Sequence, residues 1–251
     1  IDPREDWKWG NLFFKRDGVW QKRRTIPNGV HTFDDAGWGQ SLWVACGTES
    51  GGQVFRSEDD GQTWIACERR HYLARRTGRF YGLLPLGKDL LIAGANDDPF
   101  CLKGNEISPM FLGTEIVSYS KMTEFKRGAL FIGKPFDAGF ERQIGPPLEL
   151  NLFYMKTIAD MPREFACFRE RAVRDLVVRK GVCHVLCSQP RADAPPGRTF
   201  RGRIFRSKDL TQWEEMADFE VPAEPISLEY AAHTYFVGLG HRDWTDIIPL
   251  R

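Results

Sequence analysis

The sequence predicts an all-β fold, a five-bladed β-propeller with four antiparallel strands in each blade. Three observations support this: a motif recurring about every fifty residues, strand hairpins between its copies, and incomplete units at the two chain ends. Eight Trp, eighteen Phe, 24 Gly and 15 Pro among 251 residues agree with aromatic-rich strands joined by many turns. We expect residues 1–251 to form one domain.

The recurring motif is clearest in GQVFRSEDDGQTW (52–64) and GRIFRSKDLTQW (202–213), which begin 150 positions apart. Weaker copies begin at Gly10, Leu150 and, most eroded, Gly104. The steps between successive copies are 42, 52, 46 and 52 residues. A period of this size is typical of propeller repeats, and five copies predict five of them.

Hairpins are the second element. Pairs of strand-like runs, each pair divided by a polar or glycine-containing turn, lie between the motif copies. The pairs are 31–36 with 41–46, 79–86 with 90–95, 116–125 with 129–133, 172–178 with 182–187, and 226–230 with 235–238. One hairpin, one motif and the strand after it make the four strands of a blade. A stacked β-sandwich is the alternative, but it requires no sequence period.

The chain ends complement each other. The last hairpin (226–238) has no motif after it, and the first motif (10–20) has no hairpin before it. We therefore expect the N- and C-terminal segments to complete one shared blade. Such closure would hide sheet edges that otherwise invite aggregation.

The turn inside the motif has its own pattern. SEDDGQTW resembles the Asp box, or BNR repeat, of sialidase-like propellers, and the second copy is degenerate. The residues of the two copies are Ser57, Asp59, Gly61, Thr63, Trp64, Ser207, Asp209 and Trp213. An Asp there can accept backbone N–H bonds from two or three residues on, and Gly permits positive φ. The resemblance implies a structural role, on the propeller edge far from the ligand.

Candidate functional residues come from the strand openings. A propeller presents functional groups around its axis, and the first member of each hairpin should be the innermost strand. Four of these five openings carry a carboxylate, and carboxylates near one axis can acquire the different pKa values that an acid and a base need. The candidates are His31, Asp34, Asp35, Arg79, Tyr81, Glu170, Arg174, Asp175 and Glu229.

A second resemblance assigns roles. Residues 170–189 followed by 203–215 are similar to five-bladed glycoside hydrolases of the arabinanase and β-xylosidase type. The resemblance implies that Asp34 or Asp35 activates water, Asp175 holds the pKa of the acid, and Glu229 donates the proton. The substrate-binding candidates are His31, Arg79, Tyr81, Arg174 and Glu170.

The expected function is therefore a carbohydrate-active propeller, a glycoside hydrolase with axial carboxylates. The alternative is a non-catalytic propeller that binds a glycan or a protein partner. In either case the expected ligand is a small molecule or an oligosaccharide, with no metal and no cofactor. Both a secreted and a cytoplasmic location are open.

Composition argues against other classes. Lys and Arg number 35 against 34 Asp and Glu, which gives no general attraction to nucleic acid or anionic membranes. The apolar runs are strand-sized, shorter than the roughly 18 residues of a membrane span. The six Cys are scattered, and Cys183 and Cys187 would lie about 13 Å apart on a strand, too far for a disulfide. We expect buried free thiols.

Overall fold

The computed structural model describes residues 11–24, 29–48, 51–69, 79–94, 99–110, 114–116, 122–135, 150–165, 168, 171–192, 195 and 198–240. These residues form β-strands and turns, with no α-helix among them. The expected all-β class is confirmed.

Four antiparallel sheets, here called blades 1 to 4, follow one another along the chain. Blade 1 contains β3 (Gly29–Trp38), β4 (Ser41–Thr48), β5 (Gly51–Ser57) and β6 (Ile65–Ala66). Blade 2 contains β8 (Phe80–Leu86), β9 (Asp89–Gly94), β10 (Phe100–Lys103) and β11 (Glu106–Pro109), with β7 (Glu68–Arg69) parallel to β11 at the outer edge. Blade 3 contains β12 (Thr114–Ile116), β13 (Thr123–Phe125), β14 (Gly128–Pro135), β15 (Asn151–Met155) and β16 (Arg163–Glu164). Blade 4 contains β17 (Ala172–Arg179), β18 (Val182–Pro190), β19 (Phe200–Ser207) and β20 (Glu214–Val221).

Two further hairpins form separate two-stranded sheets. They are β1 (Asn11–Arg16) with β2 (Val19–Arg24), and β21 (Pro225–Ala231) with β22 (Thr234–Leu239). Phe14 packs against blade 1 and Leu228 packs against blade 4, so the hairpins flank opposite ends of the blade series. Among the described residues no strand ladder joins β22 to β1. The shared blade and the count of five therefore stay predictions.

The strand order within the blades agrees with the hairpin predictions. The first hairpin member lies at one end of the sheet in blades 1, 2 and 4, as β3, β8 and β17. The eroded motif copy at Gly104 was wrongly placed. Gly104, with φ of 64°, lies in the hairpin turn after β10, and the apolar run 100–103 forms the third strand instead.

Apolar faces pack between neighbouring blades and form the core. Val54 and Phe80 join blades 1 and 2, Leu91 and Phe131 join blades 2 and 3, and Leu152 and Val185 join blades 3 and 4; all six are fully buried. Each such side chain contributes about 1.5–3 kcal/mol to folding. The blade faces are held together mainly by this burial.

The thiols belong to the same core. Cys46, Cys67, Cys101, Cys183 and Cys187 are buried and form no disulfide among the described residues, as predicted, and Cys167 lies outside the described residues. Burial raises the pKa of Cys46, Cys67 and Cys183 to about 12. These three thiols stay protonated at neutral pH and are poor nucleophiles.

The turn after β5 is organised by Ser57 and Asp59. Asp59 Oδ1 accepts bonds from the N–H groups of Gln62 at 3.1 Å and Thr63 at 2.8 Å, and Oδ2 accepts the Thr63 hydroxyl at 2.6 Å. Ser57 Oγ donates to Asp59 and accepts the Gly61 N–H at 2.8 Å. Trp64 Nε1 donates to the Gly61 carbonyl at 3.2 Å, and its ring packs on blade 1.

The turn after β19 repeats this arrangement with fewer parts. Asp209 accepts the N–H groups of Thr211 at 2.8 Å and Gln212 at 3.0 Å, while Ser207 Oγ accepts that of Leu210 at 2.8 Å. Trp213 packs edge-to-face on Phe168, with the ring centroids 4.9 Å apart. Both Asp side chains therefore accept backbone N–H groups of their own turns.

Replacing Asp59 by Asn should reduce the acid sensitivity of the fold. The hydroxyl and amides around it lower the pKa of Asp59 to about 2, from an ordinary 3.8. Because the folded pKa is the lower one, the stabilisation is complete above the unfolded pKa and is lost as pH falls toward 2. We expect a lower Tm for Asp59→Asn at pH 7 and a smaller further loss between about pH 4 and pH 2.

Asp60→Asn is the matched control, because Asp60 is exposed and paired only with Arg16 among its described ion pairs, at 3.2 Å. Thermal melts of the three proteins across pH measure the difference. If Asp59→Asn melts like the control at every pH, Asp59 does not hold the turn.

Candidate functional site

Each of four inner strands contains a β-bulge near its opening. The register shifts between Thr32 and Asp34, between Phe80 and Gly82, between Val173 and Asp175, and between Pro225 and Ser227. The extra residues are Phe33, Tyr81, Arg174 and Ile226. A bulge breaks the alternation of side chains and turns one of them in a new direction, which is why bulges are frequent at functional sites.

Asp34 follows the bulge of β3 and accepts a hydrogen bond from the neighbouring blade. Its Oδ2 accepts the N–H of Leu83 in β8 at 2.8 Å, and Oδ1 accepts the N–H of Asp35 at 3.0 Å. Burial raises the pKa of Asp34, although these two amide bonds oppose the rise and the charge of Asp35 adds to it. Asp35 itself is exposed.

Asp175 occupies the same position after the bulge of β17. Its Oδ2 accepts the N–H of Leu228 in β21 at 2.6 Å, and Oδ1 accepts the N–H of Leu176 at 2.8 Å. The residue is 3% exposed. Asp34 and Asp175 thus make the same pair of bonds, and each joins its own inner strand to the inner strand that follows.

Glu229 lies one residue beyond Leu228. Its Oε1 accepts a bond from Arg179 Nη2 at 2.7 Å and from the N–H of Tyr230 at 3.0 Å. The Glu229 side chain is 46% exposed, and Arg179 is the last residue of β17. This carboxylate therefore lies in an exposed ion pair toward the hairpin-turn end of the strands.

An aromatic cluster forms where β3 and β8 open. The rings of Phe33 and Tyr81 have centroids 4.5 Å apart, and the Arg79 guanidinium carbon lies 5.8 Å from the Phe33 ring centroid. Both aromatic residues are partly exposed and Arg79 is exposed. Gly47 permits the close approach of Arg79, because a Cβ there would lie 2.8 Å from Arg79 Cγ. We call Phe33, Tyr81 and Arg79 the aromatic cluster.

Sequence reasoning found Tyr81 and Arg79 in this cluster and missed Phe33. Phe33 in HTFDD and Tyr81 in RFYGL hold equivalent positions, because each is the extra residue of a bulge. A bulge cannot be read from a strand-like run of residues, so the equivalence appears only in the register.

Arg174, the bulged residue of β17, is mostly buried, and its Nε and Nη2 atoms both have partners. Its Nε donates to Ser188 Oγ at 3.0 Å, and its Nη2 pairs with Glu224. Ser188 also donates to Glu224 at 3.1 Å. Burial lowers the pKa of the Arg174 guanidinium, while the charge of Glu224 opposes this shift.

Two predicted residues add nothing to this geometry. Glu170 lies outside the described residues, and for His31 only the backbone in β3 is described. No group of three His, Cys, Asp or Glu within the described part of the chain could hold a metal ion. No helix in that part is long and apolar enough to cross a membrane.

Comparisons with known proteins address the fold. No family profile and no curated protein sequence matches the chain. The chain is similar to the structure of YCF48 from Cyanidioschyzon merolae, with a TM-score of 0.52 and 12% identity over 91% of this chain and 75% of that one. Xylan β-1,4-xylosidase from Bacillus Halodurans is a weaker match, with a TM-score of 0.36 and 10% identity over 84% of this chain and 50% of that one. At this identity the likeness to YCF48 shows a β-propeller-like fold alone.

Removing the Asp175 carboxylate should destabilise the protein. Asp175→Ala leaves the N–H groups of Leu228 and Leu176 without their acceptor in a buried place, so we expect a loss of about 2–4 kcal/mol in the free energy of unfolding. Denaturant titration followed by tryptophan fluorescence measures it. Asp35→Ala, at an exposed carboxylate, should stay within about 0.5 kcal/mol of the wild type. Equal effects of the two substitutions would contradict the role given to Asp175.

Proposed function

We propose that this chain is a non-catalytic β-propeller that binds an oligosaccharide at the openings of β3 and β8. The observation that carries the proposal is the aromatic cluster, two partly exposed rings and a guanidinium group at bulged strand openings.

The cluster has the groups that sugar recognition requires. A pyranose ring has apolar C–H faces that pack on aromatic rings, and a rim of hydroxyl groups that need hydrogen-bond partners. Phe33 and Tyr81 offer the rings. The exposed Arg79 offers hydrogen-bond donors beside the Phe33 ring. A partly exposed aromatic pair with donor groups beside it suits a neutral sugar.

The carboxylates favour binding over hydrolysis. A catalytic base needs a lone pair aimed at water, and a catalytic acid must face the glycosidic oxygen. Both oxygens of Asp34 and of Asp175 instead accept backbone N–H groups, and Glu229 pairs with Arg179. These carboxylates have the contacts of residues that hold strands together.

Hydrolysis is the second candidate, and one observation favours it. Asp34 and Asp35 are adjacent carboxylates in different environments, and burial raises the pKa of Asp34. A raised pKa makes Asp34 a stronger base, which suits the activation of water. In this function Asp34 or Asp35 activates water, Asp175 sets the pKa of the acid, and Glu229 protonates the leaving group.

Substitutions in the aromatic cluster test the binding proposal. A glycan array identifies a ligand, and calorimetry then compares the wild type with Tyr81→Ala and Arg79→Gln. We expect each to weaken binding about tenfold, the loss of one aromatic or charged contact of roughly 1.4 kcal/mol. Trp20→Ala is the control, because Trp20 is an aromatic residue 66% exposed on β2. If Trp20→Ala weakens binding as much as Tyr81→Ala, the cluster is not the site.

Turnover assays separate the two candidates. Chromogenic glycosides should show no hydrolysis by the wild-type protein. Hydrolysis that disappears in both Asp34→Asn and Asp175→Asn, with each variant still folded by circular dichroism, would overturn the non-catalytic proposal in favour of the glycosidase.

A further inference from the structure

Blade 4 has an open groove on its outer strands, β19 and β20. The aromatic cluster lies elsewhere, on blades 1 and 2. The groove has a volume of about 570 Å³ and is lined by Arg198, Arg201, Asp218, Phe219 and Glu220. This volume is within the usual range for small-ligand sites, about 300–1,000 Å³. We call these five residues the blade 4 groove.

The sheet register gathers charged side chains at this groove. Arg201 is opposite Glu220 and Arg203 is opposite Asp218, so all four lie on one face of β19 and β20. Near them, the N–H of Arg191 donates to the Thr199 carbonyl at 2.9 Å, and the Arg191 guanidinium pairs with Glu220. Strand pairing and these contacts together concentrate arginine at one end of the blade.

Arginine exceeds carboxylate there. Arg201 donates two bonds to Asp218, and Arg203 Nε lies 3.6 Å from the same carboxylate. Glu220 pairs with both Arg191 and Arg198, the latter at 3.5 Å. The guanidinium groups are those of Arg171, Arg191, Arg198, Arg201 and Arg203, and the carboxylates facing them are Asp218, Glu220 and Glu215.

The excess leaves donors unused. Arg203 Nε is buried and has no hydrogen-bond partner among the described residues. Arg198 is 66% exposed, and its one described ion pair is long. The hydrogen bonds from Arg201 lower the pKa of Asp218, so this carboxylate stays charged and cannot itself become a donor. A further acceptor with negative charge would satisfy the N–H groups of the exposed Arg198, which lines the groove.

We propose that the blade 4 groove binds a small organic oxyanion, the carboxylate of an acidic sugar or the sulfate or phosphate ester of a neutral one. The planar fork of arginine matches the oxygens of all three groups. The volume accommodates a ligand of sugar size, and the lining residues come from β19, β20 and Arg198 just before β19. The ligand's charged group lies between Arg198 and Arg201.

Calorimetry on the full chain tests the site with four probes: glucuronate, glucose 6-sulfate, glucose 6-phosphate and uncharged glucose. We expect at least one charged probe to bind at concentrations up to about 10 mM, and glucose to bind at least tenfold more weakly. Affinity should fall as salt rises from about 20 mM to 200 mM, because the contact is between exposed charges. The charged probe with the highest affinity identifies whether the groove prefers a carboxylate, a sulfate ester or a phosphate ester.

Two variants of equal charge change localise the binding. Arg198→Gln removes an exposed guanidinium with one weak pair, so the fold should tolerate it, and affinity for the charged probe should fall about tenfold. Arg206→Gln is the matched control on β19: Arg206 is 41% exposed and paired with Glu214, and affinity should not change. Circular dichroism and Tm confirm that both variants are folded.

Three results would overturn the proposal: no charged probe binds the wild type, glucose binds Tyr81→Ala as tightly as the charged probes do, or Arg206→Gln weakens binding as much as Arg198→Gln. Tyr81→Ala should leave this binding unchanged. Failure at the blade 4 groove is therefore distinguishable from failure of oligosaccharide binding at the aromatic cluster.

Discussion

The hydrogen bond that a post-bulge aspartate accepts from the next inner strand is the interaction on which the candidate site depends. Within the described residues no strand ladder joins the inner strands of neighbouring blades, so their backbone N–H groups need other acceptors. Asp34 supplies one for Leu83, and Asp175 supplies one for Leu228. Core packing brings the blades together, but these directional bonds fix how one inner strand lies against the next.

The bulge and the aspartate act together. The bulge places the carboxylate where it reaches across to the neighbouring strand, and it frees the residue before it from the alternation of the sheet. In blade 1 that freed residue is Phe33, and in blade 2 it is Tyr81. The same local irregularity that joins the strands therefore exposes the ring pair on which the binding proposal rests. Asp175 is buried at such a contact, where both of its oxygens accept backbone N–H groups.

The net charge of this chain does not describe the local charge at blade 4. Basic and acidic residues are almost equal in number, 35 against 34, yet their placement is uneven. On blade 4 the register sets Arg201 and Arg203 on one face and the loop adds Arg191 and Arg198. Net charge describes long-range attraction, whereas a ligand the size of a sugar responds to a few guanidinium groups within hydrogen-bond reach.

The sequence alone determined the strands, the hairpins and the turn chemistry, because these depend on residues a few positions apart. The Ser57 and Asp59 turn follows from its motif, and the period of about fifty residues indicated repeated sheets. Only the tertiary structure decided the bulges, the partners of Asp34 and Asp175, and the arginine excess of blade 4. Asp34 and Leu83 are 49 positions apart, and Asp175 and Leu228 are 53 apart. From sequence alone, an aspartate at a strand opening is compatible with a catalytic role and with a strand contact. The hydrogen-bond partners of its oxygens distinguish the two roles, and those partners come from the neighbouring strand in space.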